Sequence, residues 1–268
     1  MRPRYTVNCS LLFTDLPLLE RPAAARAAGF DAVEFWWPFA EAVPGDREVD
    51  AFAAAVIDAG VTLTGLNFFA GDMPGGDRGV VSWPGRAVEF RDNIDVAVGL
   101  GGRLGTTGFN ALYGNRIDGA DPREQDELAV ENLALASAAA ARTGARVLLE
   151  PISGAERYPL RTLGDAHDVL LRTDAAGAAH VALLADLYHL SVNGDDVDKA
   201  ITRHLDRIGH VQIADAPGRG EPGTGELPLI TWIADLNRLG FTGHIGLEYK
   251  PATADPFGWL PPSERSSA

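Results

Sequence analysis

Eight short runs of apolar and β-branched residues, separated by longer Ala/Leu-rich stretches, constrain the fold of this chain more than any other feature. The runs are YTVNCS (5–10), AVEFWW (32–37), VTLTGLNFF (61–69), RLGTTGF (103–109), ARVLLEPI (145–152), VALLAD (181–186), HVQIAD (210–215) and HIGLEY (244–249). Most are continuous in apolar character rather than alternating, the pattern of parallel strands covered on both faces. The stretches between them have helical spacing. Phe90, Ile94, Ala97 and Val98 share one face, as do Val197, Ile201, Leu205 and Ile208, and again Leu229, Ile233 and Leu236. Gly29, Gly60, Gly144 and Gly240 each fall just past such a segment, at the C-cap position that favours glycine. Eight strand–helix units in 268 residues fit a single α/β domain, a (β/α)8 TIM barrel over residues 1–260, with 261–268 expected as a disordered tail. A doubly wound open sheet is the structural competitor. However, GLGGRLG (99–105) precedes its strand instead of following one, so no nucleotide cofactor is expected.

Charge narrows the partners. A net charge of −14 argues against a nucleic-acid partner and against anionic membranes, both of which require clustered Lys and Arg. Asp15 and Glu20 interrupt the apolar start of the chain, and no run approaches membrane-spanning length. A single cysteine, Cys9, excludes an internal disulfide and fits a reducing compartment. The expectation is a cytoplasmic enzyme acting on a small molecule; a homo-oligomer is compatible with this.

In a barrel the site lies at the C-terminal ends of the strands. Strands five to eight deliver Glu150, Asp186, Gln212 and Glu248 there, one each, all in apolar context. A buried carboxylate that stays unpaired costs several kcal/mol or takes up a proton, and three at one mouth also repel one another. A divalent cation removes both problems, and three carboxylates with one amide oxygen suit Mg2+ or Mn2+ better than Zn2+. His189, three residues past Asp186, is placed to donate to substrate, whereas His210 points the same way as Gln212 but deeper in the barrel. Glu156 lies in the loop after strand five and has either a surface role or a binding role. The Gly-rich RGEPGTGE (219–226) reads either as a flexible turn or as a flap whose Arg219 grips a substrate carboxylate. FWWPF (35–39) with Phe68 and Phe69 either walls the pocket or belongs to the core.

These stretches together resemble one family. NCSLLFTDLP, GFDAVEFWWPF, LLEPI, DLYH, HVQIAD with GRGEPGTGE, and GLEYKP are similar to hydroxypyruvate isomerases, members of the xylose-isomerase-like barrels, over residues 5–251. The resemblance implies reversible conversion of hydroxypyruvate to tartronate semialdehyde through a cis-enediolate. Glu150 and Glu248 would be the acid/base pair and, with Asp186 and Gln212, would surround one divalent ion. In the related ketose epimerases, positions matching Glu156, His189 and Arg219 hold substrate. Those epimerases usually carry histidine where this chain has Gln212. An isomerase or epimerase for a longer sugar acid or ketose remains the alternative, and which glutamate acts as first base stays open.

Overall fold

The computed structural model describes residues 2–266 and shows the expected single (β/α)8 barrel. Among the described residues, eight parallel strands close on themselves: β1 (Arg4–Asn8), β2 (Ala32–Phe35), β3 (Thr62–Asn67), β4 (Gly108–Asn110), β5 (Arg146–Leu149), β6 (Val181–Asp186), β7 (Ile208–Ile213) and β8 (His244–Leu247). Closure comes from β1 pairing with β8, Arg4 opposite His244 and Val7 opposite Leu247. The outer ring consists of α1 (Arg21–Ala27), α2 (Asp46–Asp58), α3 (Ala87–Leu104), α4 (Pro122–Ala141), α5 (Leu163–Ala175), α6 (Leu187–Asn193), α7 (Val197–His204) and α8 (Leu229–Arg238).

Local chemistry accounts for where these helices begin and end. Thr162 caps α5 in a reciprocal box, its hydroxyl accepting from the Asp165 N–H while the Asp165 carboxylate accepts from the Thr162 N–H. Asp121 and Asp196 cap α4 and α7 in the same sense. The buried faces match the periodicity: Phe90, Ile94, Ala97 and Val98 of α3 and Leu229, Ile233 and Leu236 of α8 all lie in the core.

Several strands end two or three residues earlier than expected, which leaves Glu150 and Glu248 just past β5 and β8, and three other boundaries move further. The fourth strand is not 103–109: Arg103 and Leu104 finish α3, Gly105 ends it at φ 82°, and β4 starts only at Gly108. The apolar row Val197–Ile208 is not one helix either. α7 stops at His204, Leu205–Arg207 form a 3-10 turn, and Ile208 opens β7. Periodicity cannot separate these, because helix face and strand start are both buried. Of the expected tail, residues 261–266 are placed and 267–268 lie outside the described residues. Pro262–Glu264 form a 3-10 turn, and Arg265 donates to the Ala28, Phe257 and Leu260 carbonyls. Through residue 266 this stretch is therefore docked, with the Arg265 guanidinium lying over the Phe30 and Phe257 rings.

The barrel interior is packed in layers. Leu148, Ala182 and Leu184 form a small apolar cluster, and the Thr6 and Thr64 hydroxyls pair at 2.7 Å. Toward the mouth the filling turns polar with Glu34. A Cβ at position 246 would sit 2.6 Å from the Glu34 carboxylate and 2.8 Å from the Gln212 side chain, so only glycine leaves that carboxylate room.

Candidate active site

The ends of β5 to β8 bring four of the sequence-predicted residues together. One carboxylate oxygen each from Glu150, Asp186 and Glu248, and a ring nitrogen of His189, lie within 4.8 Å of one another, and all four residues are buried. Each side chain is held by its neighbours. The Glu150 carbonyl accepts from the Tyr158 hydroxyl, and its carboxylate accepts from Asn110 Nδ2 at 2.6 Å. Glu248 Oε1 accepts from Trp36 Nε1 at 2.8 Å and from Asn8 Nδ2 at 3.0 Å, while Oε2 meets the Arg219 guanidinium. Asp186 Oδ1 caps α6, accepting from the Tyr188 and His189 N–H groups. Its Oδ2 is buried with no hydrogen-bond partner.

The electrostatics follow from that crowding. Burial pushes Glu150 well above the usual carboxylate range, and the charges of Glu248 and Asp186 push it further; Asn110 and Arg219 oppose the shift. Burial likewise raises Asp186, against the pull of Arg219. Glu248 is pushed up to about 7, again by burial first, with Arg219 opposing and Asp186 adding. Three carboxylates against one guanidinium leave two negative charges uncompensated when all are ionised, the charge of one divalent cation.

Gln212 completes a donor set for such an ion. Its Nε2 donates to Glu34 Oε1 at 2.7 Å, which fixes the amide so that Oε1 is buried and left without a partner. Two orphaned oxygens, Asp186 Oδ2 and Gln212 Oε1, beside two crowded glutamates fit a hard divalent cation. His189 plays a different part. The Ser153 N–H donates to its Nδ1 at 3.0 Å, so Nδ1 carries no proton and Nε2 must carry it in the neutral ring. The ring is neutral because burial, and then the charge of Arg219, lower its pKa to about 3. A protonated Nε2 cannot ligate a metal, so His189 is a hydrogen-bond donor at this mouth.

Arg219 is in the site but does not stand free. Its Nη2 lies against Glu248 and 3.6 Å from Asp186 Oδ2, its guanidinium covers the Tyr188 ring, and its Nε is buried without a partner. The loop carrying it is tied down by its own hydrogen bonds. Asp215 accepts from the backbone N–H groups of Ala216, Gly223 and Leu227, and a Cβ at Gly225 would lie 2.4 Å from the Ala216 carbonyl. Glu156 is exposed and does not line the cavity above the cluster. That cavity has a volume of about 920 Å3 and is walled by Trp36, Trp37, Phe39 and Phe69, whereas Phe68 belongs to the core.

Sequence reasoning passed over Glu34. It sits in AVEFWW with the same carboxylate-in-apolar-strand signature as LLE, and it accepts from His210 at 2.7 Å, Gln212 at 2.7 Å and Asn8 at 3.1 Å. Asn8 and Asn110, polar residues at strand ends, carry the same kind of signal.

Comparison with known proteins places the whole chain in one family. Residues 22–265 match the family model described as xylose isomerase-like TIM barrel. A Streptomyces coelicolor protein named "Putative hydroxypyruvate isomerase" is 53% identical, covering 98% of each chain. A Cupriavidus necator "2-oxo-tetronate isomerase" is 36% identical over 97% of this chain and 98% of its own. A crystal structure described as AP endonuclease, family 2, from Brucella melitensis superposes with a TM-score of 0.86 at 31% identity, covering 96% of this chain and 97% of that one. A whole-length match of this kind, around a barrel mouth built from Glu150, Asp186, Gln212 and Glu248, makes this chain an isomerase-type enzyme of the hydroxypyruvate isomerase family, within the xylose isomerase-like TIM barrels.

Proposed function

We propose that this enzyme interconverts hydroxypyruvate and tartronate semialdehyde by moving a proton between adjacent carbons through a cis-enediolate, with Glu150 and Glu248 as the acid/base pair. The observation that carries the reading is the convergence of those two glutamates with Asp186 within 4.8 Å of one another, with Asp186 Oδ2 and, on the paired strand, Gln212 Oε1 both buried without a hydrogen bond. Mg2+ or Mn2+ held by Glu150, Asp186, Gln212 and Glu248 would polarise adjacent carbonyl and hydroxyl oxygens and so acidify the intervening C–H.

The protein's own groups do the rest. One glutamate accepts the proton from the first carbon, and the other holds or returns a proton at its neighbour. Asn110 orients the Glu150 carboxylate; Asn8, Trp36 and Arg219 orient that of Glu248. His189, its proton fixed on Nε2, donates to a substrate oxygen. The unpartnered Nε of Arg219 is a second donor for the charge that develops on the enediolate. Glu156, exposed and outside the cavity, is given no role in this reading.

A longer sugar acid, such as a 2-oxotetronate, is the second reading. The cavity volume of about 920 Å3 has room for it. A DNA backbone fits poorly, because the net charge is −14 and His189 is the one histidine among the described residues that lines the cavity. The test is a substrate panel of hydroxypyruvate, 2-oxotetronates and free ketoses, run with added Mg2+ or Mn2+. Turnover of hydroxypyruvate with the highest kcat/KM supports the proposal; turnover of ketoses alone contradicts it.

A further inference from the structure

The loop between β3 and α3 carries a cation that the chemistry above leaves unused. Arg78 lines the same cavity as Glu150, Glu248 and His189. Its Nη1 donates to the carbonyls of Met73 at 3.0 Å and Asp77 at 2.6 Å. Among the described residues no carboxylate lies within ion-pair distance of it. The other cations at the cavity differ. Arg86 is neutralised by Asp77 and Glu89, each at 2.6 Å, and Arg219 is engaged by Glu248 and Asp186.

The loop is a built support. The Asp77 carboxylate accepts from the Asp72 N–H at 2.7 Å and from Arg86. Gly79, at φ 98°, presses so closely on the β4 loop that a Cβ would lie 1.8 Å from the Leu112 carbonyl. Arg78 is thus fixed from both sides, and one edge of its guanidinium is tied to backbone oxygens. Nε and Nη2 have no protein acceptor among the hydrogen bonds of this side chain.

We infer that Arg78 holds the carboxylate of the substrate and makes the cavity select 2-oxo or 2-hydroxy acids over neutral sugars, while Arg219 stays with Glu248 and the reacting oxygens. This rests on the acid-isomerase reading above and names the residue that reads the acid. Arginine suits the task because its planar fork meets a carboxylate with two parallel N–H bonds.

The test uses the full-length, metal-supplemented protein and the variants Arg78→Met and Arg78→Lys. Binding of D-glycerate, a hydroxypyruvate analogue that has no carbonyl to isomerise, is measured by calorimetry against glycerol, its neutral counterpart. The expected result for Arg78→Met is glycerate binding weakened about 10- to 100-fold, the range for one charge-assisted contact, with glycerol unaffected and metal content unchanged. Arg78→Lys, which keeps the charge but loses the fork, should recover part of that loss. On turnover, KM for the acid should rise by the same factor with little change in kcat. The inference is overturned if Arg78→Met binds glycerate within twofold of wild type, if glycerate and glycerol weaken equally, or if only Arg219→Met shows the acid-selective loss. Because glycerate binding needs no turnover, a wild type that binds glycerate through Arg78 yet fails to convert hydroxypyruvate would refute the proposed reaction and leave this inference standing.

Discussion

Two sets of buried carboxylates lie a few ångströms apart in this barrel, and they are treated in opposite ways. Glu34, in the interior, is 3% exposed, and both its oxygens are satisfied by side-chain donors: Asn8 and Gln212 on Oε1, His210 on Oε2. At the mouth, Glu150, Asp186 and Glu248 are 4%, 0% and 3% exposed, yet they crowd one another and leave Asp186 Oδ2 without a hydrogen bond. Burial is the same in both places, so burial alone does not mark the reactive site. The difference is satisfaction. Where the fold needs a charge for structure it surrounds it with donors, and where a ligand must enter it leaves acceptors open.

The largest effect that sharpens this contrast is on the chemistry. Glu150→Gln and Glu248→Gln should each keep the fold and lose isomerisation by about 10²- to 10⁴-fold in kcat, the usual contribution of a positioned acid or base. Deuterium exchange from solvent into substrate then separates them: the variant lacking the first base shows none, and the other exchanges without forming product. Near-normal turnover in either variant breaks the assignment.

Glu34→Ala should fail differently. It orphans the donors of Asn8, His210 and Gln212 inside the barrel, and breaking a buried network of this kind costs about 3–5 kcal/mol. Thermal unfolding should therefore move down by roughly 10 °C, with or without metal. Because Gln212 also loses its anchor, metal affinity should drop about 10- to 100-fold. A Glu34→Ala protein as stable as wild type would mean that the inner carboxylate is not structural.

A smaller effect comes from pH. In the metal-free fold Glu248 titrates at about 7, against 4.5 for a free glutamate, because burial penalises its charge. Between those values the folded state keeps a proton that the unfolded chain has released. Its contribution to stability is thus fully present below about pH 4.5 and is lost as pH rises to about 7. Relative to Glu248→Gln, the metal-free wild type should lose thermal stability across that window, and a saturating divalent cation should remove the loss. An unchanged difference between the two proteins from pH 4.5 to 7.5 contradicts the raised pKa.

Much of the barrel and its mouth was legible in the chain itself. Strand ends such as LLE, LLAD and HVQIAD announce the mouth, because an ionisable group after a continuous apolar run bears a desolvation cost that a ligand or a buried partner must offset. Glu34 carries the same signature in AVEF, but its role depends on contacts with β1 and β7 that no local pattern encodes. Arg78 was invisible for a related reason. In GDMPGGDRG it reads as one more loop charge, and only the pairing of Asp77 with Arg86 shows that Arg78 has been left over. The Gly-rich RGEPGTGE misleads in the opposite direction, since Asp215 ties its backbone at Gly223 and Leu227 and Gly225 lets the chain pack against Asp215 and the Ala216 carbonyl.

Whether a divalent cation completes the mouth is decided by calorimetric titration of metal-stripped protein with Mn2+ near pH 6.5, in two buffers of different ionisation enthalpy. One saturable site per chain is expected, with release of protons on binding, because Glu150 and Glu248 are held above the usual carboxylate range in the metal-free state. Asp186→Ala should lose both signals while Glu156→Ala keeps them. Absence of saturable binding in the wild type, or binding without proton release that survives Asp186→Ala, would contradict a metal-completed site.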